Sequence, residues 1–388
     1  MIKSLLKPGP VTLALFLVIA VSAVLTHDPD SRVSIALALL AVLIPGGLLV
    51  LFVHELGHVL GGLLSGYRFV ALICGPLSVA RVHGRLEPGW NPLWSLYGGI
   101  AVLAPRGGRL PSTRETAALF AAGPLASVLF GVLFAALHFG LGLDEVKRST
   151  VAEGTHTIWQ LLFGACTRIV ALCSLAGAVA TMIPNAIGGF TSDGAAIRML
   201  LKGGPDAARL QAMNAIMGQL TEGARPRDWT PEFVQRAAAV QDGSALESSA
   251  ASLALQHALD RGDLRAARGH LARMHAARAQ APSFSEGELR LYEAWLAIAD
   301  GRTAEARTAL AETAEELMEE YSRRRVLAAI LVAEGRPDEG RAAAREGLAL
   351  LQQEDHHFAG LAALEREWLE QLAEGRLPAV LGQPGAPA

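Results

Sequence analysis

The stretch VSIALALLAVLIPGGLLVLFVHELGHVLGGLLSG, residues 33–66, decides the fold of this chain. Its 34 residues include one carboxylate, Glu55, and no lysine or arginine. An α-helix rises about 1.5 Å per residue and the core of a bilayer is about 30 Å thick, so the stretch is longer than one perpendicular crossing requires. The sequence therefore predicts a membrane-spanning helix that tilts or breaks at Pro45-Gly46-Gly47.

Three further segments have the composition of membrane spans: Val11–Thr26, Thr116–Leu143 and Thr157–Pro184. The first of them could be a cleaved signal peptide, since Val21-Ser22-Ala23 loosely fits a cleavage site. An uncleaved signal anchor is favoured, because more apolar segments follow it. The prediction is an all-α fold whose membrane part is a polytopic helical bundle of about four spans.

The two halves of the chain differ in charge. Residues 1–200 carry 22 charged side chains with a net charge of +4, whereas residues 201–388 carry 49 with a net charge of −7. We therefore predict a membrane-embedded domain over 1–202 and a soluble second half. This division excludes one large soluble domain and a disordered chain, and the absence of a basic stripe excludes a nucleic-acid binder.

Basic residues are distributed unequally between the loops, which predicts the orientation, since lysine and arginine accumulate on the cytoplasmic side. One set of flanks carries ten of them, and the opposite set carries three, mixed with acids. The richer set is predicted to face the cytoplasm together with the N-terminus and the second half. Its members are Lys3, Lys7, Arg68, Arg81, Arg85, Arg106, Arg109, Arg114, Arg198 and Lys202.

The connection Tyr67–Glu115 is rich in glycine, proline and tryptophan and does not have a helical pattern. Its stretch Phe69–Val82 is apolar enough to lie in the membrane surface or to re-enter the membrane. Irregular backbone is tolerated at that depth only against protein or a water-filled cavity. A short β-ribbon within residues 69–100, beside a functional site, satisfies this condition.

The sequence His54-Glu55-Leu56-Gly57-His58 lies inside the predicted span. Residues four apart share one helix face, so both imidazoles can meet one metal ion, and neutral histidine nitrogens suit Zn²⁺. Glu55 is placed to take a proton from a water molecule at that metal. A polar patch satisfied by neighbouring helices is the alternative, but ionisable groups inside a span are expensive and usually functional. We therefore predict a zinc site.

Two histidines leave a catalytic zinc site one protein ligand short. Asp193 is the only acid between Glu153 and Asp206, and it follows the segment Thr157–Pro184 at the predicted cytoplasmic boundary. We expect it to be the third ligand. Asp193 could also cap the helix that begins there, and the two roles are compatible.

A third element, Ala122-Gly123-Pro124-Leu125-Ala126-Ser127, lies early in the span Thr116–Leu143. A Gly-Pro pair inside an apolar helix weakens the hydrogen-bond ladder and allows another backbone to approach closely. Kinks of this kind are common in membrane helices, so the signal is weak alone. Its value is that all three elements are predicted at the same depth.

Together these residues resemble the site-2 protease family, the M50 peptidases, over about residues 35–200. The resemblance implies an intramembrane zinc metalloendopeptidase of a bacterial-type inner membrane that cleaves a membrane-spanning protein in regulated intramembrane proteolysis. It also implies that His54, His58 and Asp193 bind zinc, that Glu55 is the general base, and that the active site lies within the membrane towards the cytosol.

The chain departs from the family pattern at three positions: Ser127 and Thr181 stand where the family usually has asparagine, and Ala195 replaces a glycine. The asparagines would orient the substrate backbone, so these changes affect substrate handling more than zinc binding. Asn185 could compensate for one of them. The predicted substrate-binding residues are Gly123, Pro124, Ser127 and Asn185.

The second half begins with a predicted linker, 203–231, followed by a helical domain, 232–376, and a flexible tail, 377–388. Gly262, Gly301 and Gly335 each separate two helical stretches, at intervals of 39 and 34 residues. This pattern loosely resembles tetratricopeptide repeats, which implies a concave surface that binds a cytoplasmic protein partner. A plain helical bundle that stabilises or regulates the membrane part is the alternative.

Two other functions remain open from the sequence. The chain could be a degenerate protease that binds membrane proteins as a scaffold, although the intact Glu55 argues against it. It could also be a zinc enzyme acting on a lipid or a prenyl-modified substrate. The expected partners are the lipid bilayer and a membrane-spanning protein substrate.

Overall fold

The computed structural model describes residues 32–382 apart from 83, 92–97, 147–152, 155–156, 188–189, 281–284, 314–318 and 354–357. The predicted first span, Val11–Thr26, lies outside the described residues, as does the second half of the predicted tail, 383–388. The described chain is mostly helical and forms two compact units. The first comprises residues up to Leu103, with 114–185 and 192–198, and the second comprises 104–113, 186–191 and 199–388.

Three long helices dominate the first unit: α1 (Arg32–Leu64), α2 (Thr113–Gly140) and α3 (Ile158–Met182). Among the described residues, these are the helices long and apolar enough to cross a membrane, over Leu43–Leu64, Thr113–Gly140 and Gln160–Met182. Each overlaps a predicted span. Helix α1 continues through Pro45 as one element, so the break considered at this proline is not present.

Small residues allow α1 and α2 to approach closely. A Cβ atom added to Gly57 would lie 2.5 Å from the carbonyl oxygen of Ala122, and one added to Gly61 would lie 2.2 Å from the Ala122 side chain. Membrane helices associate through small residues because these let the two backbones come together. Gly57 lies between His54 and His58 in sequence, so the close contact holds the histidine motif against α2.

The connection between α1 and α2 forms a four-stranded sheet of β1 (Tyr67–Cys74), β2 (Leu77–Val82), β3 (Arg85–Trp90) and β4 (Ile100–Pro105). The strand order is β3-β2-β1-β4, with antiparallel pairing of β1 with β2 and of β2 with β3. The predicted β-ribbon is therefore part of a larger sheet. Strand β4 lies at one edge of this sheet.

The chain between α3 and the second unit's helices contains β5 (Ala186–Ile187), β6 (Phe190–Thr191) and α4 (Asp193–Lys202). The two short strands pair with each other, Ala186 opposite Thr191.

The second unit contains nine helices among its described residues. The region predicted as a linker, 203–231, includes the 18-residue helix α5. The prolines of this region lie at the start of helical segments and do not interrupt them. The N–H groups of the first turn have no partner within the helix, so a proline there loses no hydrogen bond. The helices are α5 (Gly204–Thr221), α6 (Pro231–Ala238), α7 (Ala245–Asp260), α8 (Leu264–Ala277), α9 (Ser285–Ala299), α10 (Thr303–Ala311), α11 (Glu320–Ala333), α12 (Pro337–Gln353) and α13 (Ala359–Ala373).

The three glycines that suggested a repeat each end a helix. Gly262, Gly301 and Gly335 have φ angles of +76°, +74° and +78°, and they follow α7, α9 and α11. Glycine adopts this left-handed conformation at low cost, which is why it stops a helix. The alternation of helix, glycine turn and helix is present, and the likeness to tetratricopeptide repeats stays a prediction.

Arg325 is buried in the core of the second unit, where an unpaired charge would be costly. Its guanidinium lies 4.1 Å from the ring centroid of Trp295 and 4.9 Å from that of Trp368, and its Nε lies 2.6 Å from the Glu365 carboxylate. The two aromatic faces and the carboxylate together compensate the buried charge.

A ten-residue segment between β4 and α2, residues 104–113, belongs to the second unit. The N–H of Gly107 donates to Glu222 Oε1 at 2.6 Å, and Gln211 Nε2 donates to the carbonyl oxygen of Pro111 at 2.8 Å. A Cβ atom on Gly218 would lie 2.8 Å from the carbonyl oxygen of Pro105. The segment is thus held by α5 and the residue after it. The sequence predicted a single boundary at residue 202, whereas the chain passes between the two units several times.

Candidate metal centre

Three predicted ligands converge in the first unit. The Nε2 atoms of His54 and His58 are 3.3 Å apart. Each also lies 3.3 Å from one carboxylate oxygen of Asp193, His54 from Oδ2 and His58 from Oδ1. All three side chains are largely buried, with 10 to 12% of their surface exposed. Helix α1 supplies both histidines and the first residue of α4 supplies the aspartate.

The spacing of these donors fits a zinc ion. Zinc binds histidine nitrogen and carboxylate oxygen at about 2.0–2.2 Å, so donors at the corners of a tetrahedron are about 3.3 Å apart. The two nitrogens are separated by this distance, each nitrogen is the same distance from one of the two Asp193 oxygens, and one ligand atom from each residue lies within 4.8 Å of the others. The two nitrogens and the carboxylate bring lone pairs and a negative charge close together inside the protein. A bound cation would stabilise this arrangement.

Both imidazoles are oriented by α2. His58 Nδ1 lies 2.8 Å from the carbonyl oxygen of Leu119, which can only accept a hydrogen bond, so Nδ1 donates and Nε2 is left with its lone pair. His54 Nδ1 lies 2.9 Å from the hydroxyl of Ser127. Metal-binding histidines commonly use their second nitrogen in this way, which fixes the ring and the tautomer.

Gly123 makes room for the second histidine. A Cβ atom at this position would lie 2.2 Å from His58 Nε2, far inside van der Waals contact. The residue lies in the interior of α2, so a left-handed backbone is not the reason for glycine here. The Gly-Pro element therefore matters because it lets an imidazole lie against the helix backbone.

Asp193 is positioned by its neighbours. The hydroxyl of Ser192 accepts from the N–H of Ala195 at 3.2 Å and donates to the carbonyl oxygen of Ile183 at 2.9 Å. Ser192 thus performs the capping role considered for Asp193, and the aspartate carboxylate is free to face the histidines. A Cβ on Gly194 would lie 2.0 Å from the carbonyl oxygen of Met182, so this glycine allows α4 to begin directly against the end of α3.

Glu55 lies beside the three ligands and is 6% exposed. Its carboxylate accepts a hydrogen bond from the backbone N–H of Ala101 in β4. Gly99 has a φ of +88°, and a Cβ there would lie 2.6 Å from Glu55 Oε1. Gly99 and Ala101 are not among the site residues predicted from the sequence. The pair Gly98-Gly99 before an apolar stretch was the available signal, since glycine often marks a close backbone approach.

Cys74 ends β1 near this centre, but its thiol is not one of the three converging donors. Burial, followed by the nearby Glu55, raises the pKa of its thiol to about 11. Its Sγ donates to the carbonyl oxygen of Leu48 at 3.4 Å.

The predicted substrate-binding residues fall into two places. Gly123, Pro124 and Ser127 are buried on the face of α2 that meets the histidine motif. Asn185 is exposed, and its backbone N–H donates to the Ser192 hydroxyl at 3.1 Å. Their role in binding substrate stays a prediction.

Replacing Ser127 with alanine is expected to lower zinc affinity by about 10- to 100-fold, the usual effect of removing the hydrogen-bond partner of a metal ligand. The reason is that His54 Nδ1 would lose the Ser127 hydroxyl, which lies 2.9 Å from it. Competition with a chelator measures the affinity. Ser174→Ala is the matched control, because Ser174 is a fully buried serine of α3 whose hydroxyl has no partner in the described structure. Equal affinities in the two variants would contradict the orienting role.

Comparison with known proteins gives one match. The model of peptidase family M50 matches residues 41–256, which is more than half of the chain and includes Glu55 and all three ligands. No curated protein and no solved structure matches the chain.

Proposed function

The chain belongs to peptidase family M50, and we propose that it is an intramembrane zinc metalloendopeptidase that cleaves a membrane-spanning protein. One observation carries the proposal. Two imidazole nitrogens 3.3 Å apart, each 3.3 Å from a different oxygen of one carboxylate, lie beside a buried glutamate in a helix long enough to cross a membrane. The proposed setting is regulated intramembrane proteolysis in a bacterial-type inner membrane, with the N-terminus and the second unit in the cytoplasm.

His54, His58 and Asp193 would hold the zinc ion. When bound, zinc polarises the carbonyl group of the scissile peptide and lowers the pKa of water to about 7. Ser127 and the carbonyl group of Leu119 keep the two rings in the ligating orientation. The protein's own contribution at this step is a rigid set of donors that does not have to reorganise.

Glu55 would move the proton. Its carboxylate takes a proton from the attacking water and later delivers it to the nitrogen of the leaving amine, so one group acts as base and then as acid. The Ala101 N–H holds the carboxylate in place. Because only 6% of Glu55 is exposed, bulk water has little access to its carboxylate.

Strand β4 offers a place for the substrate backbone. It is an edge strand of the sheet, next to β1, and its Ala101 N–H donates to the Glu55 carboxylate. The edge strand therefore lies beside the glutamate. A substrate helix must unwind before its amides can be attacked, and an unwound segment added to this edge would pass the glutamate.

Replacing Asp193 with alanine is expected to lower zinc occupancy of the purified protein by at least about tenfold, because the site loses its single charged ligand. Metal analysis of the full-length protein measures the occupancy. Asp228→Ala is the control, since Asp228 is an exposed carboxylate of the second unit. Full occupancy in Asp193→Ala would refute the assignment of this ligand.

The proposal as a whole is tested by co-expression with a single-span reporter protein, with zinc content and reporter cleavage measured on the same preparations. Zinc binding with cleavage supports the peptidase. Zinc binding without cleavage of any reporter would favour the scaffold, and zinc-dependent turnover of a lipid or prenyl-modified substrate would favour the third function considered from the sequence.

A further inference from the structure

A second polar cluster lies inside the apolar helices, away from the metal centre. His138 of α2 is 3% exposed, Thr167 of α3 is fully buried, and Arg168 is exposed. His138 lies 11 residues beyond Ser127, which is about 16 Å along the helix. Ionisable groups at membrane depth are expensive and usually have a function.

The hydrogen bonds of this cluster have one consistent direction. Thr167 Oγ1 lies 3.1 Å from the carbonyl oxygens of Phe163 and Gly164, which can only accept, so its hydroxyl donates to the backbone. Arg168 Nη2 lies 3.3 Å from His138 Nε2, and a guanidinium can only donate. His138 Nε2 is therefore the acceptor, and Nδ1 donates to Thr167 Oγ1 at 2.9 Å. The network holds the guanidinium in a fixed place.

Most of the donors of Arg168 stay available. A guanidinium has five N–H groups, and the contact with His138 is the polar contact of Arg168 in the part of the chain that the structure describes. Leu172 and Val179 follow at helical spacing on the same face, and they are 62% and 65% exposed. A positive charge with free donors therefore stands on an outward-facing, apolar stripe of α3.

Arg168 lies ten residues, about 15 Å, after the start of α3 at Ile158, so its long side chain has to extend towards the headgroups at that end of the span. His138 lies two residues, about 3 Å, before the end of α2 at Gly140. The 28 residues of α2 span about 42 Å, which exceeds the bilayer core of about 30 Å, so the ends of the helix reach the headgroup region. Phosphate groups of lipids lie there, and the fork of an arginine matches phosphate oxygens.

We propose that Arg168 binds the phosphate group of a membrane phospholipid whose acyl chains contact the apolar side chains beside it. His138 and Thr167 are positioning residues that hold the guanidinium outwards. The exposed neighbours favour a lipid over the carboxylate of a partner protein, because they are apolar and face outwards. The site is separate from the proposed peptidase function and stands or falls without it.

Native mass spectrometry of the delipidated full-length protein in detergent tests the site, with phosphatidylglycerol as the probe. We expect Arg168→Gln to bind it at least tenfold more weakly than the unchanged protein. Arg366→Gln, which alters an exposed arginine of α13, is the matched control and should bind normally. Diacylglycerol, which lacks the phosphate, should bind equally weakly to all three proteins.

Circular dichroism of the same samples shows whether Arg168→Gln is folded. If that variant does not fold, Arg168→Lys keeps the charge without the planar fork and is expected to bind phosphatidylglycerol several-fold more weakly. Unchanged lipid binding in a folded Arg168 variant would overturn the proposal. A co-purifying polypeptide that is lost with Arg168→Gln, in place of a lipid, would also overturn it, since the bound anion would then belong to a protein.

Discussion

Replacing Glu55 with glutamine is expected to lower reporter cleavage by about 10²- to 10⁴-fold, the usual contribution of a general acid–base group. Glutamine has the same shape and can still accept the hydrogen bond from the Ala101 N–H, but it cannot take a proton from water. Because Glu55 is not one of the three converging ligands, zinc content should stay unchanged. The measurement is cleavage of a co-expressed single-span reporter, together with metal analysis of the purified variant.

Glu87→Gln is the matched control for this experiment, because Glu87 is an exposed glutamate of β3 in the same unit. It should cleave the reporter at the normal rate. Equal cleavage by Glu55→Gln and the unchanged protein would rule out the proposed mechanism. Loss of zinc along with cleavage would instead show that Glu55 supports the metal site.

A single methyl group at position 123 is expected to abolish zinc binding and cleavage together. In Gly123→Ala the new Cβ would lie 2.2, 2.5 and 2.7 Å from the Nε2, Cε1 and Cδ2 atoms of His58. Non-bonded heavy atoms are comfortable at about 3.5–4.0 Å, so the ring must move by roughly 1 Å or more. It cannot do so and keep the hydrogen bond from Nδ1 to the Leu119 carbonyl group at 2.8 Å.

Gly140→Ala, at the end of the same helix, separates this effect from a general effect of glycine replacement. Apart from the backbone of its own helix and its chain neighbours, no described atom lies within 4 Å of the added Cβ there. Alanine favours a helix over glycine by up to about 1 kcal/mol, so both variants gain helix propensity and only Gly123→Ala should lose the metal. Normal zinc content in a folded Gly123→Ala protein would mean that His58 is not held as the structure has it.

The parts of the site that could be predicted are those set by spacing within one element. The interval of four residues places His54 and His58 on one face of a helix, and long apolar stretches identify the spans. Asp193 is predicted as the third ligand because it is the acid nearest the end of the segment Thr157–Pro184. These signals are local, so a single sequence is enough to read them.

Contacts between elements could not be predicted in the same way. Which residue of α2 meets His54 depends on how far that helix is rotated about its axis, and the apolar composition of a span does not record the rotation. The sequence predicts a substrate-binding role for Ser127 but does not predict that its hydroxyl lies 2.9 Å from His54 Nδ1. Similarly, the contact of Gly99 with Glu55 joins residues 44 positions apart across a sheet edge.

The short segment 104–113 has a consequence for modularity. A protein truncated after residue 202 would retain Glu55 and every predicted ligand, yet Gly107 and Pro111 would lose their partners Glu222 and Gln211. The family match agrees with this view, since it continues to residue 256, beyond the change in composition. The first 202 residues are thus not expected to form a complete domain on their own. A chimeric protein has to include α5 together with the membrane helices.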